Sequence, residues 1–295
     1  MRANLFSLKF LYLQTPMEAV TQPRDPARVA GWPVDAHVHL HRLPDVAPTL
    51  DAAASNFRSL APTGQRLDGC LLLTQMSRER VFEALVGQGM AGDWRLESVP
   101  DEPETLIATK DGHSLALVCG RQVRADDGLE VAALGTLQTF ADGRPFAETL
   151  AEVMDSGAIT AIPWGFGKWL GARGRSVEAE LARQGDGRVV LADSGGRAWP
   201  FAEPALIRRA RARGVPVIAG TDPFPFGGDR RRVGSFGFLA EVEPDPGGPL
   251  RSLRNWLAGL QSSPVLYGRP SGPFRFLLNQ VGVQVHNRMR KDESS

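Results

Sequence analysis

The chain has 295 residues, with 34 basic against 33 acidic side chains and a formal net charge of +1. With 42% hydrophobic and 23% charged residues it is a folded globular protein large enough for a sizeable core, which excludes a disordered or fibrous chain. The even charge balance speaks against a dedicated nucleic-acid binder, and no run approaches the roughly 20 apolar residues of a membrane span.

Two cysteines, Cys70 and Cys119, cannot form a disulfide framework. Cys70 lies in an apolar run, as a reduced buried thiol does, and a cytoplasmic location is expected. Residues 1–30 are expected to form an irregular leader. The apolar stretch 5–13 is broken by Lys9 and lacks a small-residue cleavage site, which disfavours a signal peptide. It fits a short amphipathic arm or an over-extended start, with Met17 opening a more typical polar leader. One domain is expected over 31–287 and a frayed tail over 288–295.

From residue 34 onward, short apolar runs alternate with helix-like segments. Strands are expected at 34–40 and 68–74, then a helix at 77–86 with Ser77 as its N-cap. The region 105–136 differs. Its two Asp-Gly pairs, Asp111-Gly112 and Asp127-Gly128, are hairpin signals and predict an antiparallel meander. Helices are then predicted at 145–154, 175–184 and 204–213, with strands at 158–162, 188–192 and 215–219. Gly157, Gly187 and Gly214 punctuate the helix-to-strand loops, as left-handed helix ends require. Near-continuous apolar strands between helices indicate a parallel sheet covered on both faces. Seven or eight of them suit a distorted (β/α)8 TIM-like barrel carrying the meander as an insertion. An open doubly wound sheet is the runner-up, but the first strand leads into HVHLHR rather than a Gly-rich phosphate loop. After Asp222 a loop rich in Gly, Pro, Phe and Arg is expected to cover a site. A helix is predicted at 249–260 and the start of another at 274–278.

Four motifs carry possible chemistry. Asp35-Ala36-His37-Val38-His39 ends the first strand, and alternation along a strand points His37 and His39 the same way, so that two imidazoles can hold one divalent metal. Val217 to Asp222 is again an apolar run ending in an acid. Asp222 is a candidate metal ligand or general base, although an aspartate before Pro223 is also a favoured turn residue. A third strand ends in Asp193-Ser194-Gly195-Gly196-Arg197. It offers a second carboxylate in Asp193, a candidate catalytic group, and a guanidinium in Arg197 suited to an anionic substrate; a plain strand-to-helix turn explains it equally well. The fourth, Ile162 to Gly174, supplies Lys168 and Arg173 for a substrate anion and Trp164 or Trp169 as an apolar wall, or else a packed turn with solvated cations.

On DAHVH at 35–39, GTD at 220–222 and the strand–helix alternation over about 34–260, the sequence resembles the amidohydrolase superfamily. The resemblance implies a (β/α)8 barrel in which a first-strand HxH pair, a carboxylated lysine or glutamate, further histidines and a last-strand aspartate hold one or two divalent metals. These activate water against amide, ester or phosphoester bonds. His37 and His39 match the HxH pair and Asp222 the final aspartate. The strand ends near Thr136, Trp164 and Asp193 carry no histidine, and Lys168 lies several residues beyond its strand. The implied site is therefore mononuclear, with zinc or manganese on His37, His39 and Asp222 and with Asp193 nearby. The related PHP phosphoesterases share the opening but end in Asp-x-His, where this chain has Asp222-Pro223-Phe224.

Three readings follow: a metal-dependent hydrolase of a small, anionic substrate; a barrel that has lost its metal and binds a ligand or works through Asp193 and Asp222; and an assembly partner built on the same fold. The first is the reading adopted. It expects a small-molecule partner, no nucleic acid and no membrane, and leaves the oligomeric state open.

Overall fold

The computed structural model describes residues 31–60, 66–184, 188–198, 203–225, 228–272 and 274–278. The predicted leader, the predicted tail, Gly187 and His286 lie outside these residues.

The strands are β1 (Trp32–Val38), β2 (Gly69–Leu73), β3 (Gln75–Met76), β4 (Met90–Ala91), β5 (Trp94–Val99), β6 (Glu102–Lys110), β7 (His113–Val118), β8 (Gly120–Arg124), β9 (Glu130–Leu134), β10 (Ile159–Pro163), β11 (Val189–Ser194), β12 (Val217–Gly220), β13 (Phe236–Ala240) and β14 (Val265–Gly268). The helices are α1 (Val46–Arg58), α2 (Val81–Gln88), α3 (Phe146–Asp155), α4 (Ala172–Gln184), α5 (Ala205–Ala212) and α6 (Pro249–Ala258).

The expected (β/α)8 barrel is not what forms. The strands make two mixed sheets, one of eight strands in the order β14-β13-β1-β2-β7-β6-β5-β4 and one of six in the order β12-β11-β10-β9-β8-β3. A (β/α)8 barrel needs parallel neighbours throughout. Here β1 is parallel to β2 but antiparallel to β13, and β10 is parallel to β11 but antiparallel to β9. An apolar run reports burial on both faces and is blind to the direction of the neighbouring strand, so counting runs overstated the regularity.

Both Asp-Gly hairpins form, with Asp111-Gly112 joining β6 to β7 and Asp127-Gly128 joining β8 to β9. They do not make one meander, because β7 belongs to the first sheet and β8 to the second. The chain crosses at Cys119-Gly120, where a Cβ on Gly120 would lie 2.4 Å from the Leu73 carbonyl oxygen. Only glycine permits that approach. α2 begins later than expected. The Gln75 side chain accepts the Phe82 amide at 2.8 Å, and Ser77 donates to Asp142 instead of capping.

Three apolar clusters organise the packing. One is drawn from both sheets and from α6, and includes Trp32, Val34, Ala36, Leu72, Val118 and Ile218. A second lies against α1 and α2 and includes Val38, Leu40, Phe57 and Phe82. A third joins the second sheet to α3, α4 and α5. β1 therefore changes face along its length. Ala36 and Val38 are two residues apart, where simple alternation gives one face, yet they fall in different clusters. The cause is an irregularity in the β1–β2 register between Asp35 and Val38. Such a bulge re-aims the side chains that follow it, and here these are His37 and His39, on the side opposite Val38 and Leu40.

Candidate metal centre

The site is built where β12 meets β1. A Cβ on Gly220 would lie 2.2 Å from the His37 backbone nitrogen, so glycine is what lets the two strands come this close. The next residues lock the junction. The Asp222 amide donates to the His37 carbonyl at 2.8 Å. The Thr221 amide and hydroxyl donate to the Asp35 carboxylate at 2.8 and 2.6 Å. Gly234, from the segment before β13, adds its amide at 2.9 Å. Asp35 is wholly buried, and burial raises its pKa to about 6 against the opposing pull of the Thr221 hydroxyl and of the Gly234, Thr221 and His37 amides. Asp222 itself has a φ of 48°. The left-handed region is uncommon for a non-glycine residue, though Asp tolerates it better than most, and it marks a conformation imposed by the surroundings.

This frame brings three side chains to one point. The Nε2 atoms of His37 and His39 lie 3.1 Å apart. Asp222 Oδ1 lies 3.5 Å from the first and 3.6 Å from the second. Among the described residues these three form a group able to hold a metal ion. Tetrahedral metal–ligand bonds of about 2.0–2.1 Å set neighbouring donors about 3.3 Å apart, close to what is observed. The protonation states of His39 and Asp222 also fit, since metal ligands must be neutral imidazole and carboxylate. Burial, reinforced by His37, lowers the His39 pKa to about 3. Burial alone would raise that of Asp222, but His37, His39, the Ser194 hydroxyl and Lys168 together lower it. His39 Nδ1 is buried without a hydrogen-bond partner, which leaves Nε2 as the working atom of that ring.

His41 also belongs to this neighbourhood. Its ring stacks on His39 with centroids 5.4 Å apart. Nε2 lies 3.3 Å from the Pro223 carbonyl and Nδ1 3.6 Å from Glu79 Oε1. Burial pulls its pKa down, but the Glu79 carboxylate and the Pro223 carbonyl outweigh it, and the net shift is upward. His41 thus bridges the turn before α2 to the residue after Asp222.

The other expected site residues are placed differently from one another. Asp193 is buried and receives a two-pronged contact from Arg197, whose Nε and Nη2 lie 3.1 and 2.7 Å from its two oxygens. Lys168 is ion-paired with Glu130 and lies within electrostatic reach of Asp222. Arg173 donates to the Gly167 carbonyl at 2.8 Å and reaches the Asp127 carbonyl at 3.5 Å, tying its own loop to the β8–β9 turn. Trp164 is half-buried against the third apolar cluster. A groove of about 330 Å³ lies elsewhere, between α4 and α5.

Sequence reasoning passed over Asp35, Glu79 and the side chain of Ser194. Asp35 stood in the quoted DAHVH motif, and Ser194 in the quoted motif at the end of β11. Their partners, Thr221 and Asp222, are far along the chain, and no local signal joins them.

No protein-family model matches the chain, and no curated protein matches it in sequence. Among solved structures it is similar to the crystal structure of PsfC from Pseudomonas syringae PB-5123, with a TM-score of 0.55 and 16% identity over 87% of this chain and 99% of that one. It is also similar to the lesion-specific endonuclease PfuEndoQ from Pyrococcus furiosus, with a TM-score of 0.46 and 12% identity over 78% of this chain and 56% of that one. At such identities the likeness to PsfC is one of fold alone. Among the described residues no helix is long and apolar enough to cross a membrane.

Proposed function

We propose that the protein is a metal-dependent hydrolase of the amidohydrolase type, acting on an amide, ester or phosphoester bond of a small anionic substrate in the cytoplasm. The observation that carries this reading is the convergence of His37 Nε2, His39 Nε2 and Asp222 Oδ1 within 3.1–3.6 Å. These three residues would hold one divalent metal, zinc or manganese. Such an ion supplies Lewis acidity toward a carbonyl or phosphoryl oxygen and lowers the pKa of water.

The chain's own residues do the rest. The imidazole of His39 stays neutral because burial and the neighbouring His37 disfavour its charge. Asp222 is the ionised carboxylate at this point, and its Oδ1 would complete the set of metal-holding atoms. Lys168, held by Glu130, puts a positive charge near Asp222, which suits an anionic group on the substrate. Asp193 and Arg197 neutralise each other and brace the turn after β11.

The reading is tested on a panel of p-nitrophenyl esters, phosphoesters and anilides, with protein stripped by chelator and then resupplied with zinc or manganese. Hydrolysis that returns with metal in the wild type and is lost in His39→Ala is expected. A folded protein that binds stoichiometric metal and hydrolyses no member of a broad panel would overturn the hydrolase reading.

A further inference from the structure

Asp222 has two oxygens, and they face different partners. Oδ1 faces the two imidazoles. Oδ2 accepts the Ser194 hydroxyl at 2.6 Å. That hydroxyl oxygen in turn accepts the Gly196 amide at 3.0 Å. Because an amide is already spending its proton on the serine oxygen, the serine proton is directed to the carboxylate. Ser194 is 2% exposed, so water does not compete for the bond.

The turn that carries Ser194 is itself immobilised. The Gly195 amide donates to the Gly220 carbonyl at 2.7 Å. A Cβ on Gly195 would lie 2.4 Å from the Thr221 carbonyl oxygen, so the end of β11 rests directly on the residue before Asp222. The Arg197–Asp193 fork pins the other side.

We propose that Ser194 is a positioning residue for the metal carboxylate. By holding Oδ2 it fixes the carboxylate plane, so that Oδ1 alone points into the gap between His37 and His39 and Asp222 offers a single oxygen to the metal. The inference rests on the metal-site reading above. Hydrogen-bonded partners of this kind set ligand orientation, and removing one costs about 10- to 100-fold in metal affinity.

The test is zinc affinity of the purified full chain, measured by competition with a chromophoric chelator and compared with the thermal melt of the metal-free protein. Ser194→Ala is expected to weaken zinc binding about 10- to 100-fold, and Ser194→Thr, which keeps the hydroxyl, to restore it. In an Asp222→Ala background Ser194→Ala should cause no further loss, because two residues acting through one contact are not additive. If Ser194→Ala fails to fold, Ser194→Cys carries the same comparison, since a thiol is a weak donor of similar size, and its affinity should fall. A variant that melts lower but binds zinc as tightly as wild type makes Ser194 a structural residue only and overturns the proposal, as does an additive effect in the Asp222→Ala background. If the wild type binds no zinc, the metal-site reading falls first, and this inference with it.

Discussion

The carboxylate of Asp35 accepts the hydroxyl of Thr221 at 2.6 Å across 186 residues of chain. It joins the strand that leads into the two histidines to the segment that carries Asp222, and with the Thr221 and Gly234 amides it gathers three elements on one buried acid. Asp35→Asn replaces one accepting oxygen with an amino group that faces donors. It should destabilise the fold by about 2 kcal/mol or more, read as a lower urea midpoint with an unchanged m-value. A wild-type midpoint would show that these donors find water instead.

Gly220 is the close-approach point of the site. Gly220→Ala places a methyl against the His37 backbone nitrogen, and backbone cannot swing aside as a side chain does. We expect a loss of about 3 kcal/mol together with loss of metal binding. Gly112→Ala is the control for generic glycine effects, because a Cβ there meets nothing within 4 Å, although its φ of 79° carries a conformational cost.

Arg197 should read out as a stability residue. Its guanidinium neutralises Asp193, which is 1% exposed, and Arg197→Ala leaves that carboxylate buried without its ion-pair partner. The expected cost is about 3–5 kcal/mol. Arg197→Lys should recover only part of it, because an ammonium cannot reproduce the two parallel contacts. A stable Arg197→Ala protein with a raised KM for anionic substrates would instead give Arg197 a substrate-binding role.

Both thiols should be inert in the folded protein. Cys70 and Cys119 are free and buried. Burial pushes the Cys70 thiol well above its usual range and that of Cys119 up to about 12. The reactive thiolate is therefore scarce at pH 8. A disulfide-exchange reagent should label neither residue at pH 8 without denaturant and both in 6 M guanidinium. Rapid labelling of the native protein would show that a path opens to one of them.

Much of the site was legible because it follows from local rules. The HxH pair at the end of an apolar run and an acid at the end of a later one were visible as residue types at strand ends. So were α3, α5 and α6, whose apolar faces repeat at helical spacing, and the two Asp-Gly turns. The missing parts are those set by distant partners. β13 lies inside a stretch whose glycines and arginines read as loop, yet all five of its residues are buried, because it pairs with β1 and β14. β5 alternates between buried and exposed positions among charged residues, too weak a pattern to stand out without β6 beside it. The bulge in β1 was equally hidden. Alternation alone correctly put His37 and His39 on a common face, but it is the register shift after Asp35 that chooses which face.

The central claim is that His37, His39 and Asp222 hold one divalent metal. It is tested most directly by elemental analysis of wild-type and His37→Ala protein, each exposed to zinc and manganese and then dialysed. The account predicts one ion per wild-type chain and almost none in His37→Ala, with both proteins folded by circular dichroism. A wild type that keeps no metal, or a His37→Ala protein that keeps a full equivalent, would contradict it.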